Sequence, residues 1–95
     1  MELLQLQYFI EVVQQQSVTK AAEKLHISQP SLSQSLHRLQ QEVGISIFQK
    51  DGRKLRLTES GRTFYLRIAN ALQAITNACE EANGTILQGN ILIGT

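Results

Sequence analysis

Three observations predict a mainly α chain of four helices with one short hairpin. Apolar side chains recur at three- and four-residue steps through residues 3–13, 18–25 and 32–43, the spacing of helices with one buried face. An Asp51-Gly52 step between two β-prone runs marks a tight turn, because a primed turn needs positive φ. From about Gly61 to Ala82 an apolar seam continues with no proline to break it. At 95 residues the chain fits one small domain with a modest core. Its 42% apolar and 18% charged content is that of a folded chain and argues against disorder. No apolar run approaches the ~20 residues of a membrane span, and Met1-Glu2-Leu3-Leu4-Gln5 lacks the basic start of a signal peptide. The single cysteine, Cys79, excludes an internal disulfide and a Cys-rich zinc site. These features predict a cytoplasmic protein with no membrane partner.

Each element has a local cause. Leu3, Leu6, Phe9, Ile10 and Val13 form the apolar stripe of the first helix. Ser17 follows the polar run Gln14-Gln15-Gln16 and can cap a second helix by accepting an orphan backbone N–H. Val18, Ala21, Ala22 and Leu25 are its inner face, and the paired alanines let another helix come close. His26-Ile27-Ser28 is a break, with His26 expected in the left-handed region. Ser28 caps a third helix, to about Gln41, with Pro30 in the first turn, where its missing N–H costs nothing. Leu32, Leu36, Leu39 and Val43 face inward; Ser31, Ser33, Gln34, His37 and Arg38 lie opposite; Gly44 is the stop.

Ile45-Ser46-Ile47-Phe48 predicts the first strand. On the return, Leu55 and Leu57 alternate with Lys54 and Arg56, apolar toward the domain and basic outward. Thr58 can cap a fourth helix with Glu59 in its first turn. Tyr65, Ile68, Leu72, Ile75, Cys79 and Ala82 form a coiled-coil-like seam. A helix from Glu59 to Asn83 would be about 38 Å long at ~1.5 Å per residue. Asn83-Gly84 ends it, and Ile91-Leu92-Ile93 in the tail reads as a lone strand. Phe64 and Leu66 are expected to pack on the small domain. The distal half of so long a helix outruns that domain, which points to a homodimer through the seam.

The two short helices joined by a three-to-four-residue turn form a helix-turn-helix. Ala22, Leu25, Ile27 and Leu32 close the crossing and leave the polar face of the third helix free, at a size suited to the DNA major groove. With the hairpin as a wing, the fold class is a winged helix-turn-helix, three helices plus a two-stranded wing, followed by a long dimerisation helix. The net charge of +1 is low for a DNA binder, but its distribution is not. Residues 50–67 hold six basic and two acidic side chains, a local +4, while the flanking stretches are mildly acidic.

The sequence resembles the LysR-type transcriptional regulators. The resemblance rests on Leu6-Gln7-Tyr8-Phe9, on Ala21-Ala22-x-x-Leu25-x-x-Ser28-Gln29-Pro30-x-Leu32-Ser33, on Leu36, Leu39 and Gly44, and on Leu55 with Leu57-Thr58-Glu59-Ser60-Gly61. It implies a DNA-binding domain over residues 1–58, a linker and dimerisation helix over 59–83, and the start of a truncated effector-binding domain over 84–95. It implies double-stranded DNA as partner, bound as a dimer or tetramer on an interrupted inverted repeat. No cofactor is implied for this fragment. For the full-length protein the resemblance implies a small-molecule effector and RNA polymerase as a further partner. It places Gln29, Pro30, Ser33 and Gln34 at base edges, where glutamine can pair with adenine and Pro30 can meet a thymine methyl. Ser28, Ser31 and His37 are placed at phosphate or base, Arg53 at the minor groove, and Thr19, Lys20, Lys50, Lys54 and Arg56 at phosphates. Two positions depart from the family: Gln34 stands where many members have arginine, and Gln40 where they have glutamate.

No enzymatic constellation is present. His26 and His37 are not spaced for a metal and have no carboxylate or thiol beside them, and no Ser-His-Asp group or glycine-rich phosphate loop can be placed. Cys79 reads as a small seam hydrophobe. A different winged-helix group, such as the MarR-like regulators, is disfavoured by the long helix after the wing and by the Ser-Gln-Pro start. A pure protein-docking bundle is disfavoured because the outer face of the third helix carries no apolar side chain.

Overall fold

Six elements follow in chain order: α1 (Leu3–Gln15), α2 (Val18–Leu25), α3 (Gln29–Val43), β1 (Phe48–Asp51), β2 (Lys54–Leu57) and α4 (Glu59–Asn83). The computed structural model describes residues 1–52 and 54–84; Arg53 and the expected strand at Ile91-Leu92-Ile93 lie outside the described residues. The chain divides into two units between Tyr65 and Leu66.

Three of the helix starts are built as their hydroxyls predict. Ser17 accepts from Lys20 N–H at 3.1 Å, Ser28 from Ser31 N–H at 3.2 Å, and Thr58 from Gly61 N–H at 2.9 Å. The stops are left-handed residues: Gln16 (φ 55°), His26 (φ 60°) and Gly44 (φ 82°). Each lends its backbone N–H to a carbonyl of the last turn.

In the first unit, α1, α2 and α3 pack pairwise, and β1 pairs with β2 antiparallel. Phe9, Val12, Ala21, Ala22, Leu32, Leu36, Leu39 and Ile47 are buried. The Phe9 ring lies 5.9 Å from Phe48, 5.3 Å from Phe64 and 6.1 Å from Tyr65, centroid to centroid, which joins α1, β1 and the first turns of α4.

Three expectations are corrected. The buried line of α1 is Gln5, Phe9 and Val12, with Leu3 39% exposed and Leu6, Ile10 and Val13 half-buried. The cause is Gln5, whose amide donates to the Ser35 carbonyl at 3.0 Å and turns that face of α1 toward α3. The first strand starts at Phe48, not at Ile45. The Ile47 and Phe48 N–H groups are taken by the Gln40 side-chain oxygen at 2.7 and 3.2 Å, so the donors that would extend the strand are held by α3. Leu66 is 54% exposed. Two residues beyond Phe64 at about 100° per residue, it lies on the opposite side of α4.

Gly61 is buried at the first turn of α4, where a Cβ would strike the Ile47 carbonyl. This close approach, not a positive φ, requires glycine there. In the second unit, Ile68, Leu72 and Cys79 are half-buried and Ile75 is 41% exposed, so the seam is an apolar stripe with no partner among the described residues. No helix among the described residues is long and apolar enough to cross a membrane.

Candidate nucleic-acid interface

The back of α3 is fixed by Leu32, Leu36 and Leu39, all buried. Helical periodicity then turns Gln29, Pro30, Ser31, Ser33, Gln34, His37 and Arg38 outward, and all seven are exposed. This is one continuous polar face, uncharged over its first two turns. Ser28 and Ser31 are tied together: the Ser28 hydroxyl donates to Ser31 Oγ at 2.8 Å while capping the helix. The Thr19 hydroxyl on α2 donates to Gln29 Oε1 at 3.2 Å. Gln34 has no side-chain partner among the described residues.

The hairpin register pairs Asp51 with Lys54, Lys50 with Leu55, Gln49 with Arg56 and Phe48 with Leu57. Asp51 therefore belongs to the strand, and Gly52 follows it at φ 69°. Alternation puts Lys54 and Arg56 on one face with Gln49 and Asp51. Arg56 Nε meets Asp51 at 2.9 Å across that face, an exposed pair that holds the guanidinium along the wing at little gain in stability. Lys50 falls on the other face, beside Phe48 and Leu55, so the structure does not bring it together with Lys54 and Arg56. Its spacing of two from Phe48 is the signal that places it. Arg53 is outside the described residues.

A groove of about 780 Å³ lies among the end of α1, the start of α2, β2 and the first turn of α4. Lys20, Lys54, Arg56 and Arg62 line it against one acid, Glu59. Arg62, on the first turn of the long helix, thus joins Lys20, Lys54 and Arg56, three of the expected phosphate ligands. Its position four residues after the Thr58 cap, with its N–H donating to the Thr58 carbonyl, puts it beside the wing, which local pattern alone does not reveal. Among the described residues, no cluster of His, Cys, Asp or Glu could hold a metal ion.

Sequence reasoning noted Gln40 only as a departure. The structure shows it as the acceptor for two backbone N–H groups that begin the wing. No sequence signal marks that role, because the donors are seven and eight residues away and set by tertiary packing.

The family model for the bacterial regulatory helix-turn-helix protein, lysR family, matches residues 3–62. The transcriptional regulator BudR of Klebsiella aerogenes is 43% identical over 96 residues, covering 99% of this chain and 67% of BudR. BsdA of Bacillus subtilis (strain 168), also named a transcriptional regulator, is 36% identical over 100 residues, covering 97% of this chain and 34% of BsdA. The crystal structure of BenM_DBD in complex with catB site 1 DNA superposes with a TM-score of 0.84 at 37% identity, covering 95% of this chain and all of that one. The chain thus spans about a third of BsdA's length. With the helix-turn-helix and the basic hairpin matched by the family model, and nearly the whole chain matched by relatives, one conclusion follows: the chain belongs to the lysR family of bacterial regulatory helix-turn-helix proteins.

Proposed function

We propose that residues 1–58 read DNA by placing α3 in the major groove, and that residues 59–83 pair two such chains. The observation that carries this is the exposed polar face of α3 above a fully apolar back. An α-helix fits the major groove, and uncharged amide and hydroxyl groups discriminate base edges there. The likeness to BenM_DBD, solved on DNA, supports the same reading. Gln29, Pro30, Ser33 and Gln34 are assigned to base edges, and Ser28, Ser31 and His37 to base or phosphate. Lys20, Lys50, Lys54, Arg56 and, from the groove, Arg62 are assigned to phosphates, with Arg53 at the minor groove. In random-sequence selection, Gln29→Ala with Gln34→Ala is expected to lose about 1–3 kcal/mol of base discrimination per contact. An unchanged preferred site would refute the assignment.

The groove carries a separable expectation. Neutralising Lys54 or Arg62 should lower affinity for all sequences alike and reduce the slope of log affinity against log salt by about 0.9 per phosphate lost. A slope equal to that of the unaltered chain would remove that side chain from the phosphate set.

Tyr65, Ile68, Leu72, Ile75, Cys79 and Ala82 are assigned to the dimer seam, and two-fold pairing of the α3 helices leads to an interrupted inverted repeat as operator. Sedimentation at micromolar concentration should find a dimer, and Leu72→Glu a monomer, since a carboxylate in an apolar seam is costly unless paired. Residues 84–95 are assigned to the start of an effector-binding domain, through which a small molecule would regulate the full-length protein and the dimers would join as tetramers.

A further inference from the structure

We propose that Thr19 is a positioning residue that fixes the side-chain amide of Gln29 and thereby sets the base preference at the position Gln29 reads. This rests on the reading of Gln29 as a base contact, and departs from the expectation that Thr19 serves as a phosphate ligand.

The argument starts from where a threonine hydroxyl sends its proton. Within a helix it usually goes to the carbonyl four residues back. Thr63 and Thr76 in α4 do this, donating to Glu59 and Leu72 at 3.4 and 3.1 Å. Thr19 is the second residue of α2. Four residues back lies Gln15, the last residue of α1, so α2 offers Thr19 no such acceptor. Its proton goes across the turn to Gln29 Oε1 at 3.2 Å.

Gln29 is the first residue of α3, exposed, on a long side chain with several rotatable bonds. Left alone, it would lose that freedom on binding and its amide could present either end to a base. The Thr19 bond ties down the oxygen end and directs the –NH2 end outward. Ala21 and Ala22, buried beside Thr19, keep α2 close enough to α3 for so short a side chain to reach. Gln34, with no partner among the described residues, is an internal control, because no group holds its amide.

The test is random-sequence selection and salt titration on the whole chain and on Thr19→Val, Thr19→Ser, Gln29→Ala and the Thr19→Val/Gln29→Ala double variant. Valine keeps the shape and removes the proton; serine keeps the proton. Thr19→Val should lose about tenfold preference at the same base pair that Gln29→Ala relaxes, with the salt slope and the Gln34 position unchanged. Thr19→Ser should retain the preference, and the double variant should be no worse than Gln29→Ala alone. Thr19→Ala replaces the valine variant if circular dichroism shows valine to unfold the chain. A uniform loss of affinity with a slope lower by about 0.9 would make Thr19 a phosphate ligand and overturn the proposal. So would an unchanged site in Thr19→Val while Gln29→Ala alters it. An unchanged site in Gln29→Ala would instead sink the base-reading assignment itself.

Discussion

Gly61→Ala is expected to lower the stability of the winged domain by about 3 kcal/mol or more, a fall in Tm of about 12–24 °C. The added Cβ would strike the Ile47 carbonyl, which is backbone and has little freedom to retreat. That carbonyl already accepts the Thr58 N–H at 3.0 Å, so moving it also disturbs the start of α4. Ile47 is fully buried, and its side chain would shift with its backbone. The comparison is Gly44→Ala. Gly44 sits at φ 82° with nothing near its would-be Cβ, so only left-handed strain of about 1–2 kcal/mol applies. Thermal melts of the two variants by circular dichroism check the order. Equal melting temperatures would mean that α4 tilts away from Ile47 at no cost.

The second large effect belongs to Gln40. Replacing it with leucine keeps the bulk and removes the acceptor for the Ile47 and Phe48 N–H groups. A buried donor left unpaired costs about 1–3 kcal/mol, so Gln40→Leu should lose about 2–4 kcal/mol in denaturant titration. Gln40→Glu, the residue common at this place in the family, should restore the bonds and strengthen them, because a carboxylate accepts more strongly than an amide. That carboxylate would be stabilised in the folded state, so its folded pKa would fall below its unfolded value. Its gain would be complete above the unfolded pKa, about 4.3, and lost as pH falls through the folded pKa. A leucine variant as stable as the parent would show that water or a rearranged loop satisfies the two N–H groups.

The division between what could and could not be read from sequence follows the range of each interaction. Caps at Ser17, Ser28 and Thr58 and the stop at Gly44 depend on three or four neighbouring residues, and α4 begins and ends where its cap and its Asn-Gly step place it. The outward face of α3 was legible because three buried leucines leave only one arrangement for the polar residues between them. The inward face of α1 was not. It is decided by Gln5 reaching the Ser35 carbonyl thirty positions away, a polar side chain that no hydrophobic pattern assigns to a core. The start of β1 failed for the same reason: Ile45 and Ile47 have strand character, but a glutamine on α3 takes the backbone donors first. In the site, charge could be counted along the chain, whereas the joining of Arg62 to the wing lysine and arginine required the fold.

The packing order within the first unit has a kinetic consequence. The helices α1, α2 and α3 pack pairwise and β1 pairs with the strand that follows it, whereas Phe9 reaches across the chain to Phe48, Phe64 and Tyr65. Pairings between elements adjacent in sequence close short loops at small entropic cost, while the Phe9 contacts close long ones and cost more. The expected order of folding is therefore the adjacent pairs first and the aromatic closure of α1 on the start of α4 last.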